Sequence, residues 1–173
     1  MKLFGTERKE SVQTRLQRLY FNFFPAYRST GARIKFISSD YREIHVALRL
    51  FWRTRNYVGT VFGGSIFGAL DPLYMIQLIK LLGDEYVVWD SQAKVDFKRP
   101  VSQTVFARFL IEDELLHEIR ETVSREKKMQ LWFPARFEDK DGKVYATVDK
   151  LLYIADKEYY RQMRNERKKP GQV

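Results

Sequence analysis

The chain contains no cysteine. That excludes disulfides, thiolate nucleophiles and cysteine-ligated metals, and it leaves stability to burial. Histidine is nearly absent too, with only His45 and His117. His45 falls on the polar face of an alternating segment, and His117 sits among Glu114, Glu118 and Glu121 on what reads as a solvated helix face. Neither has metal-ligand spacing, so no metal and no cofactor are expected. Also missing are a phosphate-cradling glycine loop, a nucleotide-binding glycine signature and a serine elbow. No linker, repeat or low-complexity tract divides the 173 residues, which read as one domain over 1–173. The first eleven residues hold no apolar run of signal-peptide length, and a cytoplasmic location is expected. The most apolar stretch, 61–79, is interrupted by Asp71, Pro72, Gln77 and three glycines. It reads as a buried helix, and no transmembrane segment is expected.

Aromatic residues and positive charge are plentiful. Thirteen Phe and ten Tyr suit a pleated sheet with an aromatic-rich face, or an apolar pocket. A net charge of +9 would attract phosphate-bearing ligands, nucleic acid or anionic membrane surfaces. Much of the excess lies in Arg161, Arg164, Arg167, Lys168 and Lys169, which read as a solvated helix end and tail. With no nucleic-acid module in the sequence, a basic protein that binds nucleic acid or anionic lipid is the least favoured reading.

Hydrophobic spacing gives the elements. Leu16, Leu19, Tyr20, Phe23 and Phe24 recur at helical period over 11–27, until Pro25 stops the pattern. That stripe is expected to face the core or an interface, with a membrane surface as the alternative. Segments 32–38 and 43–50 alternate and are joined by a turn at Ser38, Ser39 and Asp40. A glycine-containing segment from Asn56 leads into a long apolar helix reaching about Leu82, ended by Gly83. Strands are expected over 86–98, 104–111, 129–138 and 143–154, with a helix over 112–126 and a charged helix over 156–168. In the first of these strands Val87, Trp89, Ala93, Val95 and Phe97 alternate with Asp90, Gln92, Lys94 and Asp96. The Asp141-Gly142 pair suits a tight hairpin between the last two strands. The class is α+β, an antiparallel sheet covering one buried helix, with a core over 32–154 and added N- and C-terminal helices.

The segment from Asn56 to Pro72 carries the candidate chemistry. Gly63 and Gly64 open an apolar helix, where unpaired N–H groups meet the positive end of the helix dipole and can stabilise an oxyanion. The alternative is that the pair only lets the helix pass close under a strand. Asp71, an acid in an apolar helix, faces a desolvation cost. It could cap the helical segment restarted at Pro72, or act as a general base or nucleophile in an apolar cleft.

Asn56, Gly63, Gly64 and Asp71 fall at the spacings of Asn, His-Gly-Gly and the helix acid in hotdog thioesterases of the phenylacetyl-CoA type, and the chain resembles that family over roughly 32–154. It is more similar still to a thioesterase-like hotdog subfamily with Phe-Gly-Gly, Asp-Pro and the segment Phe97-Lys98-Arg99-Pro100. The resemblance implies an antiparallel sheet wrapped around a central helix and an acyl-CoA or acyl-carrier-protein substrate, with no cofactor. It implies a homodimer or dimer of dimers with the site at the dimer interface. Asp71 would be base or nucleophile, the Gly63 amide the oxyanion hole, and Asn56 the residue that orients carbonyl or water. Phe62, Gly64, Asp90, Lys98 and Arg99 would contact substrate, with Lys98, Arg99 and Arg108 offered to the CoA phosphates. Phe62 stands where these enzymes usually carry histidine, which removes a polar contact and keeps the Gly63 amide. Asp90 occupies a position that often holds Ser or Thr. A non-catalytic acyl-binding protein is the alternative.

Overall fold

The computed structural model describes residues 4–167; Lys168 and Lys169 of the basic C-terminal run lie outside the described residues. Among these residues six strands form one antiparallel sheet: β1 (Arg33–Ile37), β2 (Glu43–Leu48), β3 (Tyr86–Phe97), β4 (Val105–Leu110), β5 (Lys128–Glu138) and β6 (Val144–Asp156). Their order across the sheet is β1-β2-β4-β5-β6-β3. Helices α3 (Gly63–Leu70) and α4 (Leu73–Leu82) follow one another as the central helix of a hotdog fold. Gly63–Leu82 is long and apolar enough to cross a membrane by length and composition alone, yet 50% of its most apolar 18-residue window is buried inside the protein. Leu70, Leu73 and Leu78 are fully buried and join Phe109 and Phe137 of the sheet in one core. Truncating any of the three to alanine should cost about 2–5 kcal/mol.

Helix α5 (Asp113–Glu126) packs on β5 and β6 through Leu116, Ile119 and Val123. The last described element is the charged helix α6 (Lys157–Arg167). At the other terminus α1 (Val12–Phe23) begins at Ser11, whose hydroxyl accepts the Thr14 amide at 3.1 Å while Thr14 Oγ1 accepts the Ser11 amide at 3.0 Å. Pro25 ends this helix and starts the short α2 (Pro25–Ser29), with proline in the first turn where its missing N–H costs nothing.

Three differences from the sequence reading matter for function. First, α1 does not turn its apolar stripe to the core. It packs on β1 through its other side, Thr14, Gln17 and Phe21, and Asn22 pairs with the Ile34 backbone in both directions, at 2.9 and 2.8 Å. Leu16, Leu19, Tyr20, Phe23 and Phe24 are exposed. Asn22 therefore occupies hydrogen-bonding groups on the outer edge of β1, while among the described residues β3 pairs with β6 alone and its other edge is open.

Second, β2 is buried on both faces, so His45 is enclosed and not on a solvated face. The reason is the segment 4–11, which lies over the outer side of β2, with the Phe4 ring edge-on to His45 at 4.9 Å. Beneath it, Glu43 accepts His45 Nε2 and Arg108 Nε, both at 2.7 Å, and Thr6 Oγ1 at 2.5 Å. Burial pushes the Glu43 carboxyl up, but these hydrogen bonds outweigh it and hold it below the usual range. Burial pushes His45 below its usual range, against the opposing pull of Glu43.

Both shifts have one sign. A carboxylate or imidazole whose folded pKa is depressed contributes stability above its unfolded value and loses it as pH falls. We expect the thermal midpoint to decline below about pH 6.5, where unfolded histidine begins to protonate, and more steeply below about pH 4.3, where unfolded glutamate does. In His45→Gln the upper part of that decline should vanish. An unchanged profile in this variant would show that His45 is not the group behind that part of the decline.

The third difference is a bulge in β3. Register shifts between Asp90 and Gln92, leaving Ser91 out of the ladder with β6. The odd-residue alternation of the sequence is therefore broken. Val88 rather than Val87 is buried, and beyond the bulge Ala93 pairs with Lys150, Val95 with Val148 and Phe97 with Ala146, whose side chains are buried.

Candidate active site

Proline at 72 has no amide to give the Gly68 carbonyl, so the central helix breaks there. The Asp71 amide still bonds Phe67 O at 3.0 Å, and the turn resumes with the Ile76 amide on Pro72 O, also at 3.0 Å. Among the described residues the Asp71 side chain accepts no backbone amide of α4, which removes the capping role. Its Oδ1 instead accepts a hydrogen bond from Lys150 Nζ, on β6 and 79 residues away in sequence. Lys150 Nζ also lies 3.0 Å from Asp90 Oδ1 on β3 and 5.3 Å from the centre of the Phe67 ring.

Helix break, bulge and strand thus deliver Asp71, Asp90 and Lys150 to one point. Lys150 is 2% exposed, whereas the side chains of Asp71 and Asp90 keep 37% and 27% of their surface. Burial raises the Asp90 carboxyl above its ordinary range, with Lys150 opposing and the Asp71 charge adding to the rise. Among the described residues Asp71 Oδ2 has no hydrogen-bond partner. It is a partly exposed carboxylate with one oxygen held by Lys150 and the other open to a hydrogen-bond donor.

Asp71 also stands at the edge of an apolar cavity of about 510 Å³ between the central helix and the N-terminal helices. Its walls include Phe21, Phe24, Tyr27, Leu73, Met75 and Ile76. Asp71 is the acid among the lining residues.

The other predicted residues gather at the start of α3. Asn56, Gly63, Lys98 and Arg99 line a second cleft of about 590 Å³. Phe62 N bonds Thr54 O at 2.7 Å, and the Phe62 carbonyl accepts Ser65 N and Ile66 N. The Gly63 and Gly64 amides have no partner among the described residues, as the first turn of a helix requires. A Cβ on Gly63 would stand 3.0 Å from the Phe97 ring and one on Gly64 2.3 Å from the Phe62 ring. Glycine is what lets both rings lie against the backbone beside the free amides.

Asn56 shapes its own loop. Its Oδ1 accepts the Val58 and Thr60 amides at 3.1 and 2.9 Å, and its Nδ2 donates to Thr60 Oγ1 and Val61 O at 2.9 and 3.4 Å. All four hydrogen-bonding positions of the amide are occupied. Lys98 Nζ pairs with Asp96 at 2.6 Å, and Arg99 donates to the Val144 carbonyl. Arg108 bonds Glu43 under the 4–11 segment, away from both clefts.

Within one chain the two halves do not meet. Eight residues separate Gly63 from Asp71, roughly 12 Å along the helix axis at 1.5 Å per residue. A carbonyl oxygen in the Gly63 cleft is out of reach of Asp71 of the same chain.

Residues 13–154 match the model of a family described as Domain of unknown function (DUF4442). No curated protein gives a significant match. Among solved structures, PA5026 of Pseudomonas aeruginosa, described as a probable thioesterase, superposes with a TM-score of 0.72 at 16% identity, covering 85% of this chain and 98% of that one. Thioesterase HI1161 of Haemophilus influenzae gives 0.60 at 16% identity, covering 86% and 94%. The E. coli PaaI protein of the phenylacetic acid degradation operon gives 0.56 at 12% identity, covering 82% and 93%. At such identities the likeness establishes the fold alone.

Proposed function

The chain belongs to the DUF4442 family, and from that premise we propose that it hydrolyses fatty acyl thioesters, carried on CoA or an acyl-carrier protein, at a site completed by a second copy of itself. The observation that carries this reading is Asp71: a carboxylate with a free oxygen at the rim of an apolar cavity. An acyl chain seated in that cavity would bring its thioester carbonyl to Asp71. The free edge of β3 offers pairing to the same edge of a second copy. Pairing there would let the Gly63 amide of one copy face Asp71 of the other, closing the distance that separates them in one chain.

In this mechanism Asp71 Oδ2 takes a proton from water as the oxygen attacks the carbonyl carbon. The Gly63 and Gly64 amides hold the developing oxyanion, a contribution of about 3 kcal/mol for one such donor. The C–S bond then breaks, and the thiolate takes the proton to leave as a thiol. Direct attack by Asp71 would instead form a mixed anhydride, and ¹⁸O incorporation into the protein during a single turnover in labelled water separates the two routes. Asn56 acts by holding the 56–61 loop, and Lys98 and Arg99, exposed on the same cleft, face the phosphates of CoA. Phe62-Gly63-Gly64 and Phe97-Lys98-Arg99-Pro100 are the segments on which we group the chain with thioesterase-like members bearing phenylalanine at the usual histidine position.

One specific observation favours a second reading, acyl binding without turnover: the Asn56 amide is fully engaged within its loop. Hydrolysis of acyl-CoAs from acetyl to palmitoyl, with thermal shift on the same panel, decides between them. Turnover supports the thioesterase. Stabilisation by long chains without turnover supports the binding protein, and no response to any member sinks both.

A further inference from the structure

Among the described residues nothing covers the apolar stripe of α1. Val12, Leu16, Leu19, Tyr20 and Phe23 fall at i, i+4, i+7, i+8 and i+11, and Leu16 and Phe23 are 62% and 69% exposed. The stripe is an unbroken ridge along the helix, because residues three and four apart share one face. Its lower end runs into positive charge. Phe23 lines a groove with Arg28, Arg33 and Arg53, and a neighbouring groove shares Arg33 and Phe51 with it and adds Lys35 and Arg49.

These five cations are exposed, and among the described residues none makes an ion pair. Neither groove has an acidic residue in its lining. The sequence explains part of this: residues 11–39, which supply Arg28, Arg33 and Lys35, hold no Asp or Glu. Trp52 is exposed beside the patch, with the Arg53 guanidinium 4.8 Å from its ring.

From this continuity we infer that α1 and the adjoining five-cation patch form a docking surface for an anionic phospholipid membrane. Leucine, tyrosine and phenylalanine on an exposed helix face enter the headgroup boundary, and arginines flanking that face pair with lipid phosphates. Charge alone would serve nucleic acid equally, but the ridge of Val12, Leu16 and Phe23 offers nucleic acid neither donors nor charge. Self-association through the same surface would bring like cations together. Tyr20 and Phe24 also line the 510 Å³ cavity next to Asp71. Docking by α1 sets the mouth of that cavity at the lipid boundary, where acyl chains can enter without crossing water. This inference rests on the surface of α1 and holds whether or not the cavity supports hydrolysis.

The test is co-sedimentation of the full chain with phosphatidylcholine vesicles, with and without phosphatidylglycerol, across a salt series. Binding should require phosphatidylglycerol and weaken with salt. Arg28→Gln/Arg33→Gln/Arg53→Gln should weaken it roughly 100-fold, about fivefold for each cation lost. Leu16→Ser/Phe23→Ser should weaken it at least about tenfold. All five positions are exposed, and circular dichroism of both variants checks that the fold is kept. Equal binding to neutral vesicles, or no change in either variant, would overturn the proposal. So would tight binding of an oligonucleotide without binding of vesicles. A fall in the native mass of Leu16→Ser/Phe23→Ser would overturn it in favour of a contact between copies.

Discussion

Asp71→Asn is expected to lower the rate of acyl-thioester hydrolysis by about 10²–10⁴-fold, the range a positioned general base supplies. Stability should barely change. The asparagine carbonyl can still accept the Lys150 hydrogen bond made by Asp71 Oδ1, and Lys150 retains Asp90 as countercharge. The substitution also removes one contribution that raises the Asp90 carboxyl. Asp90 should then titrate lower than in the native protein, which carboxyl-carbon NMR reads directly. A variant that hydrolyses acyl-CoA at the native rate would remove Asp71 from the chemistry. One that loses activity together with a large drop in thermal midpoint would place Asp71 in the structure first.

Lys150→Met is expected to be the most destabilising change in the site. The ammonium is buried and serves two carboxylates from different elements. Removing one member of a fully buried pair costs about 3–5 kcal/mol; because Asp71 and Asp90 keep part of their hydration, we expect about 2–3 kcal/mol here. For a chain of this length that is a fall of about 4–12 °C in thermal midpoint.

The pH dependence identifies the cause. Burial already raises Asp90, and losing Lys150 removes the opposing influence. An acid whose folded pKa is raised destabilises the fold above that pKa and ceases to do so as pH falls through it. The deficit of Lys150→Met should therefore be largest at neutral pH and shrink towards pH 4, and Asp71→Asn/Asp90→Asn should relieve it at every pH. A deficit independent of pH would mean that packing of the lysine stem, and not charge, holds the site together.

Much of the architecture was legible because hydrophobic periodicity is local. The helix expected at 112–126 and the final hairpin each fall within two residues of the span their spacing marks, and the strand expected at 43–50 forms over Glu43–Leu48. Gly63, Gly64 and Asp71 stood out for the same kind of reason, as glycines opening an apolar helix and an acid within it. Even Lys150 left a local trace: it takes the inward position between Val148 and Leu152 in a strand of period two, where a lysine needs a partner.

The partner itself was not legible. Asp71 and Lys150 lie 79 residues apart, and Asp90 reaches them only because β3 bulges at Ser91 and reverses which face its side chains take. An alternating pattern cannot announce a bulge within it, since one unpaired residue shifts the phase without changing the composition. The face that α1 buries was likewise set from outside the helix, when Asn22 met the edge of β1 and turned the apolar ridge to solvent. Sequence by itself determined the elements and the chemically conspicuous residues, because those depend on neighbours a few positions away. Tertiary structure decided which charges meet and which surfaces stay open, because those depend on how distant strands register.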